Sequence, residues 1–169
     1  MFATNFLVQK PISGNLKYYV DCFKMELNEC WRFARNFPLC AFATAAGSQP
    51  HVRTLLLWSV MNDAFYFHTG ASTHLAKEIK RNPKVEICFT APPAPPLLAR
   101  MMRVTGFCEY VEDKHMKERL FEERPSLISL GYSGPDDPEI VILRVHSGEI
   151  RFVTMETYLI EKDSSPILF

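Results

Sequence analysis

The apolar positions of this chain recur with two different periods, and the changes between them mark its elements. From Leu16 to Asn36, the residues Leu16, Tyr19, Val20, Phe23, Leu27, Cys30, Trp31 and Ala34 return every three or four positions. Lys24, Glu26, Asn28, Glu29 and Arg32 fall largely on the other side, which predicts an amphipathic helix over about 16–36. Pro38 ends it. The pattern then shortens. LCAFATA (39–45) is a short apolar run closed by Gly47-Ser48 and predicts a buried strand. Pro50 to Val60 predicts its hairpin partner, Asn62-Asp63 the next turn, and AFYFHT (64–69) a third strand.

A second helical stretch follows in ASTHLAKEIKRNP, with Ser72 or Thr73 as N-cap and Asn82-Pro83 as the stop. VEICFT (85–90) predicts a fourth strand, and APPAPP (91–96) a stiff extended connection, since proline cannot join a ladder. RMMRVTGFCEYVE (100–112) predicts a long fifth strand with a bend at Gly106. Asp113 caps a charged helix reaching about Arg124; the loop GYSGPDDP leads to IVILRV, and IRFVTM follows a turn at Ser147-Gly148. Five to seven strands with turn-length gaps predict an antiparallel β-barrel with peripheral helices, in which the helix after the third strand is a crossover. A parallel α/β sheet does not fit, because parallel neighbours need crossover connections that strands one to three lack. One domain over 1–169 is expected, with the helix at about 16–36 and the barrel at about 38–155.

Composition adds exclusions. Lysine plus arginine equal aspartate plus glutamate, at 19 each, so no nucleic-acid or anionic-membrane partner is expected. No run approaches the length of a membrane span. The five cysteines, Cys22, Cys30, Cys40, Cys88 and Cys108, are scattered in mostly apolar surroundings. They are read as free thiols in a reducing cytoplasm rather than as disulfides or metal ligands, and no metal site is expected.

Two features carry candidate chemistry. The strand-to-helix junction FYFHTGASTHLAK ends at a helix N-terminus, whose free N–H groups and partial positive charge attract anions. Thr73 and Lys77 share one helix face, so a phosphate there would meet hydroxyls, amides and an ammonium. Capping alone explains the hydroxyls equally well. In HVRTLLLW, alternation sets His51, Arg53, Leu55 and Leu57 on one side of the strand and Val52, Thr54, Leu56 and Trp58 on the other. Arg53 is a charge in an apolar strand and needs a partner, either a core carboxylate or the anion held by the junction.

Taken in order, GSQPHVRTLLLW, FYFHTGASTHLAKEIKRNPKVEICF and RVTGFCEYVED resemble the pyridoxamine 5′-phosphate oxidase-related flavoproteins, the FMN-binding split β-barrels. The resemblance spans about residues 35–152, and GYSGPDDPEIVILRV is similar to their general-stress-protein subgroup. It implies a six-stranded split barrel and a homodimer with two FMN molecules at its interface. It places Arg53, Thr54 and Leu55 beside the isoalloxazine and phosphoribityl chain. Phe67, His68 and Thr69 then line the ribityl-phosphate side, with Ser72, Thr73, His74 and Lys77 as candidates for phosphate contact. The chain departs from true pyridoxamine phosphate oxidases where they carry a basic residue and Lys, here His74-Leu75. It departs again at Met101, where they carry Gln, and in its SSPILF ending, which lacks their Trp and Arg-Leu-x-Pro.

The expected function is therefore an FMN-dependent oxidoreductase acting on an unidentified small molecule or NAD(P)H, and not a true pyridoxamine phosphate oxidase. His51, His68 and Tyr132 are its acid–base candidates. The alternatives are a non-catalytic flavin or haem binder related to stress, a deazaflavin protein, and an interaction module with a degenerate pocket.

Overall fold

The computed structural model describes residues 26–92, 100–154 and 166–169. The predicted helix before Glu26, Cys22, and Pro93 to Pro96 lie outside them.

Helix α1 (Leu27–Asn36) starts where the Glu29 carboxylate accepts a hydrogen bond of 3.1 Å from the Glu26 N–H, one half of a capping box. The strands are β1 (Leu39–Ala46), β2 (Gln49–Leu56), β3 (Ser59–Met61), β4 (Ala64–Gly70), β5 (Lys84–Ala91), β6 (Arg100–Val111), β7 (Ile140–Thr154) and β8 (Ile167–Leu168). Helix α2 (His74–Arg81) joins β4 to β5, and α3 (Lys114–Glu123) with the short α4 (Ser126–Ser129) joins β6 to β7. All eight strands lie in one antiparallel sheet of order β2-β1-β5-β6-β7-β4-β3, with β8 added on β7. The sheet curls into a barrel that stays open, as the family pattern implies. The α2 crossover is as expected, since β4 and β5 are not neighbours.

The strands number eight rather than the six expected, with β8 an addition on β7, and two predicted runs are divided differently. The run 50–60 does not stay on one partner. Leu57 N–H bonds the Pro38 carbonyl at 2.8 Å and Trp58 N–H bonds the Tyr66 carbonyl at 2.8 Å. The chain thereby leaves β1 and joins β4, so one predicted strand becomes β2 and β3 on opposite edges of the sheet. Ser147-Gly148, read as a turn between two strands, is instead a kink within the single 15-residue β7. Ser147 takes φ +52°, and the β6 register shifts between Thr105 and Phe107 opposite it. At this crossing a Cβ on Gly148 would overlap the Thr105 carbonyl oxygen, so only glycine fits.

Alternation along β4 feeds two cores. Phe65 and Phe67 point into the barrel with Phe42, Ile87, Phe89, Met102 and Val104, where α1 closes the group through Trp31 and Phe33. Ala64 and Tyr66 point outward, under Leu120, Phe121 and Leu127 of α3 and α4. Aromatic edges interlock in the barrel, with Trp31 on Phe65 at 4.8 Å and Phe42 on Phe67 at 5.3 Å between centroids. The four described cysteines are free, and burial pushes the Cys30, Cys40 and Cys108 thiols up, which leaves them inert. Among the described residues no helix is long and apolar enough to cross a membrane.

Gly148→Ala is expected to lower stability by at least about 1–3 kcal/mol, because the Thr105 backbone must move out of the way. Urea titration followed by tryptophan fluorescence reads the loss. An unchanged midpoint would show that the crossing is not constrained.

Candidate functional site

The end of β4 and the start of α2 are built by short-range polar bonds. Thr73 is the N-cap: its hydroxyl accepts from the Ala76 N–H at 3.1 Å and donates to the Gly70 carbonyl at 2.8 Å. The Thr69 hydroxyl lies 3.2 Å from the Thr73 hydroxyl. Part of the junction is already taken by an internal anion. Ala71 N–H bonds the Glu139 carbonyl at 2.8 Å, and Ser72 N–H bonds the Glu139 carboxylate at 3.0 Å. Tyr132 closes the other side, its hydroxyl lying 3.5 Å from where a Cβ on Gly70 would sit. Burial, then the charges of Glu139 and Asp137, raise the Tyr132 pKa and keep the phenol protonated. The amides of His74 and Leu75 have no acceptor among the described residues, so the helix end retains donors for a ligand.

A second cluster sits beside it. Arg53 lies opposite Phe42, and His51 opposite Thr44, in the β1–β2 register, on the side of the hairpin that faces α2. The Arg53 guanidinium donates from Nη1 to the Thr44 hydroxyl at 2.7 Å and from Nη2 to Glu78 Oε2 at 2.8 Å. Thr44 in turn donates to Glu78 Oε2 at 2.5 Å, and His51 Nδ1 lies 2.6 Å from Glu78 Oε1. Glu78 is only 6% exposed. The Thr44 hydroxyl and then Arg53 and His51 outweigh its desolvation and hold the carboxyl down at about 2. Of the two partners the sequence offers Arg53, the structure supplies the core carboxylate. Glu78 lies five residues beyond Thr73, so the two clusters are about 7–8 Å apart along the helix axis.

The remaining predicted residues are distributed over several surroundings. Phe67 is fully buried against Phe42, so its side chain is sealed from any ligand. His68 is on the opposite face of β4 from Thr69, under α3. There its Nε2 accepts from Arg124 Nη1 at 2.7 Å, while Arg124 Nη2 donates to the Leu57 carbonyl at 2.7 Å. Burial, then the Arg124 charge, push His68 down to about 4, so it is a neutral structural residue. Leu55 packs half-buried against the barrel core, and Thr54 is exposed on the outer face. Ser72, His74 and Lys77 are exposed at the junction, and Met101 is half-buried on β6. The structure thus unites Thr69, Ser72 and Thr73 in one group and His51 and Arg53 in another, and separates the side chains of His68 and Phe67 from both.

Four partners escaped the sequence reading: Thr44, Glu78, Arg124 and Glu139. Glu78 had a signal. It falls three residues after Leu75 and one before Ile79, on the buried face of α2, and Arg53 required a carboxylate. Arg124 reaches His68, and Glu139 reaches the junction, through long-range contacts that have no local signal.

The sequence profile of the family described as pyridoxamine 5′-phosphate oxidase matches residues 27–154. The pyridoxine/pyridoxamine 5′-phosphate oxidase of Pelagibacter ubique (strain HTCC1062) is 30% identical over 112 residues, which are 62% of this chain and 51% of that protein. Its counterpart in Leptospira biflexa serovar Patoc is 30% identical over 108 residues, 64% of this chain and 48% of that protein. The chain therefore spans about half the length of the curated relatives it matches. Among solved structures, a NimC/NimA family protein from Clostridium acetobutylicum aligns with TM-score 0.65 and 25% identity, covering 76% of this chain and 87% of that one. General Stress Protein 26 from Bacillus anthracis str. Sterne aligns with TM-score 0.62 and 18% identity, over 76% of this chain and 95% of that one. A pyridoxamine 5′-phosphate oxidase-related, FMN-binding protein from Nostoc punctiforme PCC 73102 aligns at 0.60 and 16%, over 76% and 82%. The last two likenesses establish the split-barrel fold alone.

The depressed His68 value carries a sign. Its folded pKa of about 4 lies below the ordinary 6.5, so the unfolded chain binds the proton more readily. The contribution is complete above about pH 6.5 and is lost as pH falls toward about 4. Denaturation midpoints measured from pH 7.5 to 4.5 should fall more steeply for the native sequence than for His68→Gln. Parallel curves would remove His68 from this role.

Proposed function

This chain belongs to the pyridoxamine 5′-phosphate oxidase family, and we propose on that premise that it is an FMN-binding flavoprotein, homodimeric and acting in oxidoreduction. The observation that carries the reading is that the matched span, 27–154, holds a capped helix N-terminus with uncommitted amides and, about 7–8 Å along the same helix, the Glu78 carboxylate that orders Arg53. The donor set suits a phosphate monoester. His74 and Leu75 offer main-chain N–H groups, Ser72 and Thr73 offer hydroxyls, and the exposed Lys77 offers charge from the next turn. Arg53 commits one N–H each to Thr44 and Glu78 out of five, which leaves donors for the ligand. Thr69 orients the Thr73 hydroxyl, and the β2 segment Arg53-Thr54-Leu55 lies at the sheet edge, where a flat ring system can be laid.

When bound, FMN supplies hydride or single-electron chemistry at its ring, while the protein positions it and sets its surroundings. His51 is the acid–base candidate best placed in this chain. It is 42% exposed on its side chain, and its Nδ1 is oriented by the buried Glu78 carboxylate. His68 and Tyr132 do not share that arrangement, because one is held neutral by burial and Arg124 and the other is kept protonated. The substrate we propose is a small molecule or NAD(P)H rather than pyridoxamine phosphate, since Leu75 and Met101 stand where the oxidases carry Lys and Gln. We place the protein in the cytoplasm on the same premise.

The homodimer reading draws on the outer face of the β1–β2 hairpin. Cross-strand partners Leu39 and Leu56 are 62% and 48% exposed, and Val52, opposite Ala43, is 67% exposed. A contiguous apolar sheet face of this kind, on the strand that also carries Arg53, suits a second copy of the chain.

Purified protein is expected to be yellow, with flavin absorption bands near the visible blue, and to release FMN identified by mass spectrometry. Arg53→Ala should weaken FMN binding at least tenfold, the scale of one charge-assisted contact. A colourless protein that takes up no added FMN would defeat the reading, and bound FMN that NAD(P)H cannot reduce would favour the non-catalytic alternative. Val52→Asp should convert the dimer to monomer in light scattering; a native protein that is already monomeric would refute the interface.

A further inference from the structure

The Glu78 cluster goes beyond what the flavin reading needs. A buried carboxylate a short distance from a site for an anion is, by charge alone, unfavourable. By Coulomb's law a carboxylate on the same helix repels an anion held at its N-terminus. The geometry shows what it does instead. Glu78 Oε2 receives both the Thr44 hydroxyl at 2.5 Å and Arg53 Nη2 at 2.8 Å, and Arg53 Nη1 closes the triangle onto Thr44 at 2.7 Å. Glu78 Oε1 receives His51 at 2.6 Å. Both carboxylate oxygens are therefore committed to the protein. The Arg53 side chain is 24% exposed, whereas that of Glu78 is 8% exposed. The arginine is thus presented at the surface of the cluster and the glutamate is sealed beneath it.

From this arrangement we propose that Glu78 is a positioning residue, holding the Arg53 guanidinium in one orientation so that its remaining N–H groups receive the anionic end of the ligand. The proposal rests on the FMN reading of the site. An arginine free in solution samples many rotamers, and fixing it on binding costs side-chain entropy. A planar fork pinned at two corners meets that cost during folding, so the ligand does not. Thr44 is part of the device, since its hydroxyl joins the two charged groups and sets the plane of the fork.

The proposal and simple electrostatics predict opposite signs. Glu78→Gln removes a negative charge near the ligand. If Glu78 acted only through its charge, FMN would bind more tightly to the variant. If it positions Arg53, FMN binding weakens about tenfold despite the added net positive charge. Thr44→Val should weaken binding in the same direction, which covers the case in which Glu78→Gln folds poorly. In an Arg53→Ala background neither change should have further effect, because nothing is left to position. Titration of the apoprotein with FMN by flavin-fluorescence quenching reads all five variants, with folding checked by circular dichroism. Weakening by Glu78→Gln that vanishes without Arg53 supports the proposal; equal or tighter binding with Arg53 still required overturns it and leaves the FMN reading intact. Absence of FMN binding by the native chain overturns the reading itself. The clamp is then decided by nitrogen-15 resonances of the Arg53 side chain. Hindered guanidinium rotation in the native protein, released in Glu78→Gln, supports the clamp, and equal rotation in both overturns it.

Discussion

A carboxylate buried to 6% exposure has to be fully hydrogen-bonded, and Glu78 meets that demand by binding β1 and β2 to α2. Thr44, His51 and Arg53 come from two strands of one hairpin, and the helix supplies the acid. The packing of Leu75 and Ile79 against the barrel fixes the depth of α2, while the polar cluster fixes its rotation. Thr73 caps the start of the helix so placed, five residues before the carboxylate that holds Arg53. The orientation of the candidate site thus follows from the pairing of one buried charge.

The second constraint is the corner at Leu57 and Trp58. By giving its N–H to Pro38 and Tyr66 in turn, the chain moves from one edge of the sheet to the other. This makes the barrel open and leaves β2 and β3 as edges. Edge strands expose main-chain donors and acceptors and are normally shielded. The hairpin of β1 and the edge strand β2 carries an apolar outer face of Leu39, Val52 and Leu56, so the dimer reading and the flavin reading lead to the same strand.

The junction itself balances charge closely. Glu139 occupies the Ser72 amide, and Glu78 offsets Arg53, so the local positive potential comes from the helix end and from exposed Lys77. The amides of His74 and Leu75 are donors whose directions the helix itself fixes. Such donors lose less to solvent screening than an exposed ammonium does.

Much of this was legible in the linear pattern. The strand runs at 39–45, 64–69, 85–90 and 100–112, the caps at Thr73 and Asp113, and the Asn82-Pro83 stop are local signals, and each element formed where its own residues favour it. The need of Arg53 for a partner was also written in the sequence, because a charge in an apolar strand is costly wherever the strand lies. What local pattern could not supply was the partner. The choice of Glu78, the division of 50–60 between two edges, the kink at Gly148 and the placing of His68 under Arg124 all depend on residues 8 to 67 positions apart. Periodicity tells which side of a strand is buried, but not which of two cores receives it. His68 and Thr69, adjacent in the chain, face opposite ways for that reason. Only the curling of the sheet, which brings distant elements within hydrogen-bond reach, decides which polar groups meet.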